Sequence, residues 1–161
     1  MPKTVKLHPD FVALLAEFEN AEVRYLIIGG YAVGFHDRPR TTKDIDLLVD
    51  PAAANIEKVC RALTEFGAPQ SVVRDFADAG LDEIVWMGRP PLRVDLLKSA
   101  PGVDPVAFDR AIIVRSQGVD MRIISLDDLI AAKRAVHRTQ DLVDAENLEL
   151  ARRSHRRGRS L

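Results

Sequence analysis

Residues 27–49 read IIGGYAVGFHDRPRTTKDIDLLV, and this stretch decides the fold. Tyr25-Leu26-Ile27-Ile28 is a short apolar run stopped by Gly29-Gly30, which reads as a strand ending in a turn. Tyr31 to Phe35 supports a short helix. Asp44-Ile45-Asp46-Leu47-Leu48-Val49-Asp50 then reads as a second strand. Side chains alternate across a sheet, so Asp44 and Asp46 share one face while Ile45, Leu47 and Val49 share the other. The aliphatic face must pack against helices. The face with two adjacent carboxylates must be open, because burying paired like charges is too costly.

The elements on either side extend this pattern. Phe11, Leu14, Leu15 and Phe18 recur at helical spacing, so about 9–20 is a predicted amphipathic helix. Residues 52–66 predict a helix ending at Gly67. Strands are predicted over 82–87 and 92–97, flanking Gly88-Arg89-Pro90-Pro91, and again over 111–116 and 120–124, flanking Gln117-Gly118. In the 92–97 strand Val94 and Leu96 face the core, and Arg93 and Asp95 face the other way. Ser125-Leu126-Asp127-Asp128 is a capping-box variant, with Ile124 and Leu129 placed to close a hydrophobic staple. A helix follows from 126 to about 137 and another from about 140 to 152. The sum is an α/β (α+β) domain over 1–161: a mixed β-sheet core at about 22–124, a helical C-terminal part at 125–152, and a basic tail at 153–161.

The 161 residues fit one domain, and 47% of them are hydrophobic, enough for a core. No apolar run approaches the roughly 18–20 residues that cross a bilayer, so no membrane partner is expected. MPKTVKLHPDF has no apolar h-region, and no export signal is expected. The lone Cys60 cannot form an internal disulfide and fits a reducing, cytoplasmic compartment; it reads as a packing residue. The formal charge of −1 gives no global basic field. The last residues, RRSHRRGRSL, group Arg152, Arg153, Arg156, Arg157 and Arg159 without an acid. They read either as a solvated, disordered tail or as an arm for RNA phosphates.

Asp44, Asp46 and Asp95 on one open sheet face are a donor set for two hard divalent cations. Mg2+ is the expected ion, with Mn2+ as a substitute, and substrate phosphates and water would complete its shell. An Asp-x-Asp pair alone is common at strand ends; the preceding Gly29-Gly30 changes its meaning. Glycines between a strand and a helix let backbone amides approach an anion, and a helix N-terminus favours its charge. No Gly-Lys-Ser/Thr follows, and the spacing is not G-x-G-x-x-G, so neither a P-loop nor a dinucleotide fingerprint is present. On a helix over 126–137, Lys133 falls in the middle of the apolar face. It either snorkels, pairs with Asp141 or Asp144, or reaches a phosphate. His36 reads as a partly exposed loop residue. Arg40 and Lys43 either hold phosphates or balance the acids.

Residues 27–49 resemble the signature of polymerase-β-type nucleotidyltransferases, a hydrophobic residue and Gly-Gly/Ser followed by Asp-x-Asp. Asp95 in LRVDLL matches that family's third acid. The Arg40-x-Thr42-x-Asp44-Ile45-Asp46 pattern is similar to small bacterial members, including abortive-infection and toxin-type nucleotidyltransferases. ISLDDLIAAKRAVHRTQDLVD, residues 124–144, resembles their helical segment. The resemblance spans about 22–150. It departs at Gly30, where many relatives carry Ser, and at Gln140, where Lys is usual.

The resemblance implies transfer of a nucleoside monophosphate from a nucleoside triphosphate to an acceptor hydroxyl, with Mg2+ and loss of pyrophosphate. Asp44 and Asp46 would hold both ions, and Asp95 would complete the ion that activates the nucleophile. Gly29, Gly30, Arg40, Thr42 and Lys133 would bind the nucleotide. The acceptor is an RNA end, favoured by the basic tail, a protein hydroxyl, or a small molecule such as an antibiotic. Two rival readings stay open. One is a nucleotidyltransferase-like antitoxin that holds a cognate toxin protein without turnover. The other is a metal-dependent nuclease, against which the glycine pair speaks.

Overall fold

The computed structural model describes residues 5–39, 42–89, 91–136 and 138–159, with side chains to residue 156. Six strands form one mixed sheet in the order β3-β4-β2-β1-β6-β5. The strands are β1 (Tyr25–Ile28), β2 (Asp44–Val49), β3 (Val85–Met87), β4 (Arg93–Leu97), β5 (Ile112–Ser116) and β6 (Val119–Ile123). β1 and β2 pair antiparallel, as do β3 with β4 and β5 with β6. The β2–β4 and β1–β6 pairs are parallel. Helices α1 (Pro9–Asn20) and α3 (Ala53–Phe66) pack on each other, and α4 (Gln70–Asp78) packs on α3 and β3. Helix α2 (Gly29–His36) lies against β1, β2 and the C-terminal pair α5 (Leu126–Val136) and α6 (Thr139–Arg159). Among the described residues, no helix is long and apolar enough to cross a membrane.

The predicted periodicities place most of these elements. Phe11, Leu14, Leu15 and Phe18 are the buried stripe of α1. Gly67 closes α3 in the left-handed conformation, φ 96°, where its amide reaches back to the carbonyls of Leu63 and Thr64. The Ser125 hydroxyl accepts from the Asp128 amide at 3.2 Å, and Ile124 and Leu129 are buried beside it, as the cap predicted.

Three features differ from the sequence reading. Helix α4 carries only one fully buried side chain, Phe76, so its apolar period is too sparse to read without its partner α3. β3 starts at Val85, because Asp82 and Glu83 belong to a turn in which the Glu83 carboxylate accepts from the Gly80 amide. Helix α6 runs on to Arg159 rather than stopping near 152, so the segment read as a tail is helical over its described residues. Arg152 pairs there with Asp127 of α5 and with Glu149 of its own helix.

The parallel β1–β6 junction is held in part by Tyr25, whose buried hydroxyl donates to the Asp120 carbonyl and accepts from the Arg122 amide, each at 3.3 Å. Burial pushes the phenol up to about 12 from its ordinary 10.0. The neutral form therefore supplies stability that is complete below pH 10 and is lost as pH rises through 12. Two pKa units correspond to about 2–3 kcal/mol. Tyr25→Phe should cost about 1 kcal/mol near pH 8 through the lost hydrogen bonds. It should also remove most of the alkaline decline, which urea denaturation at pH 8 and above pH 11 would measure.

Candidate active site

The acids meet because of strand register. Asp46 of β2 is aligned with Asp95 of β4 and with Ile28 of β1, and Asp44 is aligned with Arg93. Asp44 is exposed and Asp46 half-buried, while Leu48 on the same face is fully covered. The acid face is therefore open only where β2 begins, a narrower opening than alternation alone predicts. The Asp46 carboxyl faces that of Asp95 across the strand pair, close enough for a hydrogen bond when one of them is protonated. Burial raises Asp46 to about 7, helped by that hydrogen bond and by the charges of Asp95 and Asp44, and opposed by Lys133. Asp95 also accepts from the Arg93 guanidinium at 2.7 Å. Asp44 adds its charge to this pair, and among the described residues no three acid, histidine or cysteine side chains are already drawn together around one point.

Gly29 sets the depth of the site. It has φ +70°, and a Cβ built there would fall 2.0 Å from Asp46 Oδ2. Only a residue without a side chain lets the β1–α2 turn lie against that carboxylate. The helix begins at the glycines themselves rather than at Tyr31. Gly30 is less constrained, since a Cβ there would meet the Thr42 side chain at 3.4 Å. The Thr42 hydroxyl donates to the Asp44 carbonyl at 3.1 Å and accepts from the Asp44 amide at 3.3 Å, while Tyr31 donates to the Thr42 carbonyl. Thr42 thus shapes the entry to β2. Arg40 lies outside the described residues.

Lys133 is paired. Its ammonium lies 3.1 Å from Asp141 Oδ1 and 3.4 Å from Asp144 Oδ2, with its side chain 16% exposed. Asp141 and Asp144 are themselves buried at 3% and 2% exposure. Burial alone would raise Asp141, but the hydrogen bonds from Arg138 and Lys133 outweigh it and hold this carboxyl below its ordinary value. Gln140 donates to Asp144 at 2.9 Å. The α5–α6 hairpin therefore fixes an ammonium whose charge is felt at Asp46.

Of the alternatives its helical position left open, the structure shows the pairing with Asp141 and Asp144. Lys133→Ala would remove the ammonium that buried Asp141 and Asp144 share, leaving Arg138 on Asp141 and Gln140 on Asp144, a loss of about 3 kcal/mol, the low end for breaking a buried pair. Denaturant titration should show that loss, and Lys133→Ala combined with Asp141→Asn and Asp144→Asn should recover much of it.

His36 is not a loop residue. It ends α2 in the core at 6% exposure, and its Nε2 lies 2.7 Å from the Ile124 carbonyl. A carbonyl can only accept, so Nε2 carries the proton, and the ring ties α2 to the end of β6. A residue next to an aromatic at a helix end gives no sequence signal for this role. Arg93 was legible as a neighbour of Asp95 on the same face, but its ion pair was not. A cleft of about 600 Å³ lined by Arg24, Lys58, Asp120 and Arg122 lies at the far end of β1 and takes no part in the acid site.

Solved structures share this arrangement of elements. A protein of Thermotoga maritima described as a candidate nucleotidyltransferase matches with TM-score 0.56 and 14% identity, over 94% of this chain and 96% of its own. The lincosamide antibiotic adenylyltransferase LnuA, lincomycin-bound, matches with TM-score 0.54 and 16% identity over 91% and 98%. The antibiotic-resistance factor ANT(2'')-Ia matches with TM-score 0.51 and 15% identity over 94% and 91%. At such identities the likeness is one of fold. Comparison with curated proteins gives no match. A family model described as "Nucleotidyltransferase of unknown function (DUF6036)" matches residues 10–155, reaching from α1 into α6, and the chain belongs to that family.

Proposed function

We propose that this chain transfers a nucleoside monophosphate from a nucleoside triphosphate to an acceptor hydroxyl, releasing pyrophosphate, at the open face formed by Asp44, Asp46 and Asp95. The observation that carries the reading is the β2–β4 register, which aligns Asp46 with Asp95 directly beside Gly29 at the start of α2. Carboxylates suited to a hard cation and a helix start suited to phosphate then lie side by side.

The donor set fits Mg2+. It consists of oxygen ligands alone, and the like charges of Asp44 and Asp95 help burial raise Asp46, a repulsion that a divalent cation relieves. Asp44, Asp46 and Asp95 would hold it, with Mn2+ as a substitute. When bound, the metal supplies charge neutralisation for the phosphates and makes the acceptor hydroxyl more acidic. The residues of the chain do the rest. The Gly29 and Gly30 backbone cradles phosphate oxygens. Thr42 borders that cradle. Lys133, anchored by Asp141 and Asp144, directs positive charge towards it. Catalysis then rests on positioning and charge stabilisation.

The test is calorimetric titration of each nucleoside triphosphate with and without Mg2+, followed by pyrophosphate release with RNA, protein and antibiotic acceptors. Magnesium-dependent binding and acceptor-dependent release are expected. Binding without release from any acceptor would favour the antitoxin-like reading instead. Absence of binding would remove both.

A further inference from the structure

Trp86 is the only tryptophan of the chain. It lies on the edge strand β3, opposite Asp95, which is itself aligned with Asp46. Directly opposed residues project to one face, so Trp86, Asp95 and Asp46 form a row across the acid face. Yet Trp86 is 58% exposed. More than half of this large ring is left in water, one strand from the proposed acid site.

The Arg93 guanidinium carbon lies 5.2 Å from the centre of the Trp86 ring while its Nε holds Asp95. The Arg93 amide donates to the Lys43 carbonyl, which brings Lys43 beside it, and the β3–β4 turn adds Arg89. All three of these cations are exposed, at the end of the sheet where Asp44 starts β2. The other flank of Trp86 is a cleft of about 500 Å³ lined by Asp75, Asp78 and Glu83. A polyanion on the ring is therefore repelled from that flank and drawn towards Arg93.

From this arrangement we infer that Trp86 is the platform for the acceptor, and that the acceptor is a single-stranded RNA end. Its terminal base stacks on the indole, its backbone phosphates follow Arg93, Arg89 and Lys43, and its terminal hydroxyl is presented beside Asp95. Stacking on an aromatic side chain suits any base, and arginine adds to it. This rests on the proposed transfer reaction for the direction of the acceptor, but binding of RNA to the ring can be read independently of turnover.

The test uses the intrinsic fluorescence of Trp86 in the full chain. A short single-stranded RNA with a free 3′ hydroxyl should quench it saturably. Magnesium–nucleoside triphosphate should not, and neither should the amino sugar tobramycin. Trp86→Ala should weaken RNA binding, read by anisotropy of a labelled strand, about tenfold or more. It should raise the acceptor KM by a similar factor while leaving triphosphate affinity and kcat near wild type, and Trp86→Phe should restore most of the loss. Lys43→Gln with Arg89→Gln should flatten the salt dependence of RNA binding. Quenching by the triphosphate or by tobramycin but not by RNA overturns the inference, as does an unchanged RNA affinity in Trp86→Ala. Failure of the transfer reading shows differently, as absence of triphosphate binding and pyrophosphate release in the wild-type protein.

Discussion

Asp46→Asn is expected to abolish nucleotidyl transfer while making the metal-free protein more stable at pH 8. Folding raises the Asp46 carboxyl from its ordinary 3.8 to about 7. The stability that its protonated form contributes is complete below pH 3.8 and is lost as pH rises through 7, so the ionised protein carries a penalty on the order of a few kcal/mol. Asparagine cannot ionise, and its amide can donate to Asp95. The variant should melt several degrees higher at pH 8 and close to wild type at pH 4. Asp44→Asn should also abolish transfer, but at an exposed position it should leave the melting temperature nearly unchanged. Asp95→Asn should reduce the rate by about a hundredfold or more, the scale at which misplacing a reactive group is felt, with a smaller loss of triphosphate binding. Pyrophosphate release and thermal melts across pH check these outcomes together. Wild-type turnover in both Asp44→Asn and Asp46→Asn would sink the assignment.

Gly29→Ala should damage both the fold and the site, although it adds a single methyl group. The new Cβ would lie 2.0 Å from Asp46 Oδ2, and the residue would have to keep φ +70°. The left-handed conformation costs an alanine roughly 1–2 kcal/mol. The overlap can be relieved only by moving the β1–α2 turn or the Asp46 carboxylate. Either movement separates the helix start from the acids, so a rate loss of about a hundredfold is expected. Gly30→Ser supplies the contrast. Its Cβ would meet Thr42 at an ordinary 3.4 Å, and its activity should stay within severalfold of wild type. If the two variants behave alike in melting and in pyrophosphate release, the close approach at Gly29 is not what builds the site.

The sequence determined what depends on local period and residue chemistry. Alternation assigned Asp44, Asp46 and Asp95 to strand faces that their burial bears out, and the glycine pair located the turn before α2. The 3.6-residue period of α1 and the terminating Gly67 were equally legible, because each needs only its own segment. Tertiary structure decided whatever depends on which segments meet. Strand order set Asp46 beside Asp95 and Trp86 in the same row, and no local pattern fixes the register of strands so far apart in sequence. The α5–α6 packing chose the ion pairs of Lys133 with Asp141 and Asp144 from the alternatives its helical position left open. The β1–α2 turn gave Gly29 rather than Gly30 the indispensable role, since only the folded chain brings the Asp46 carboxylate to within a methyl group's reach of one of them. His36 was drawn into the core for the same reason: a polar ring can be buried where a carbonyl waits for its proton, and that carbonyl belongs to Ile124, at the end of the sheet strand beside β1.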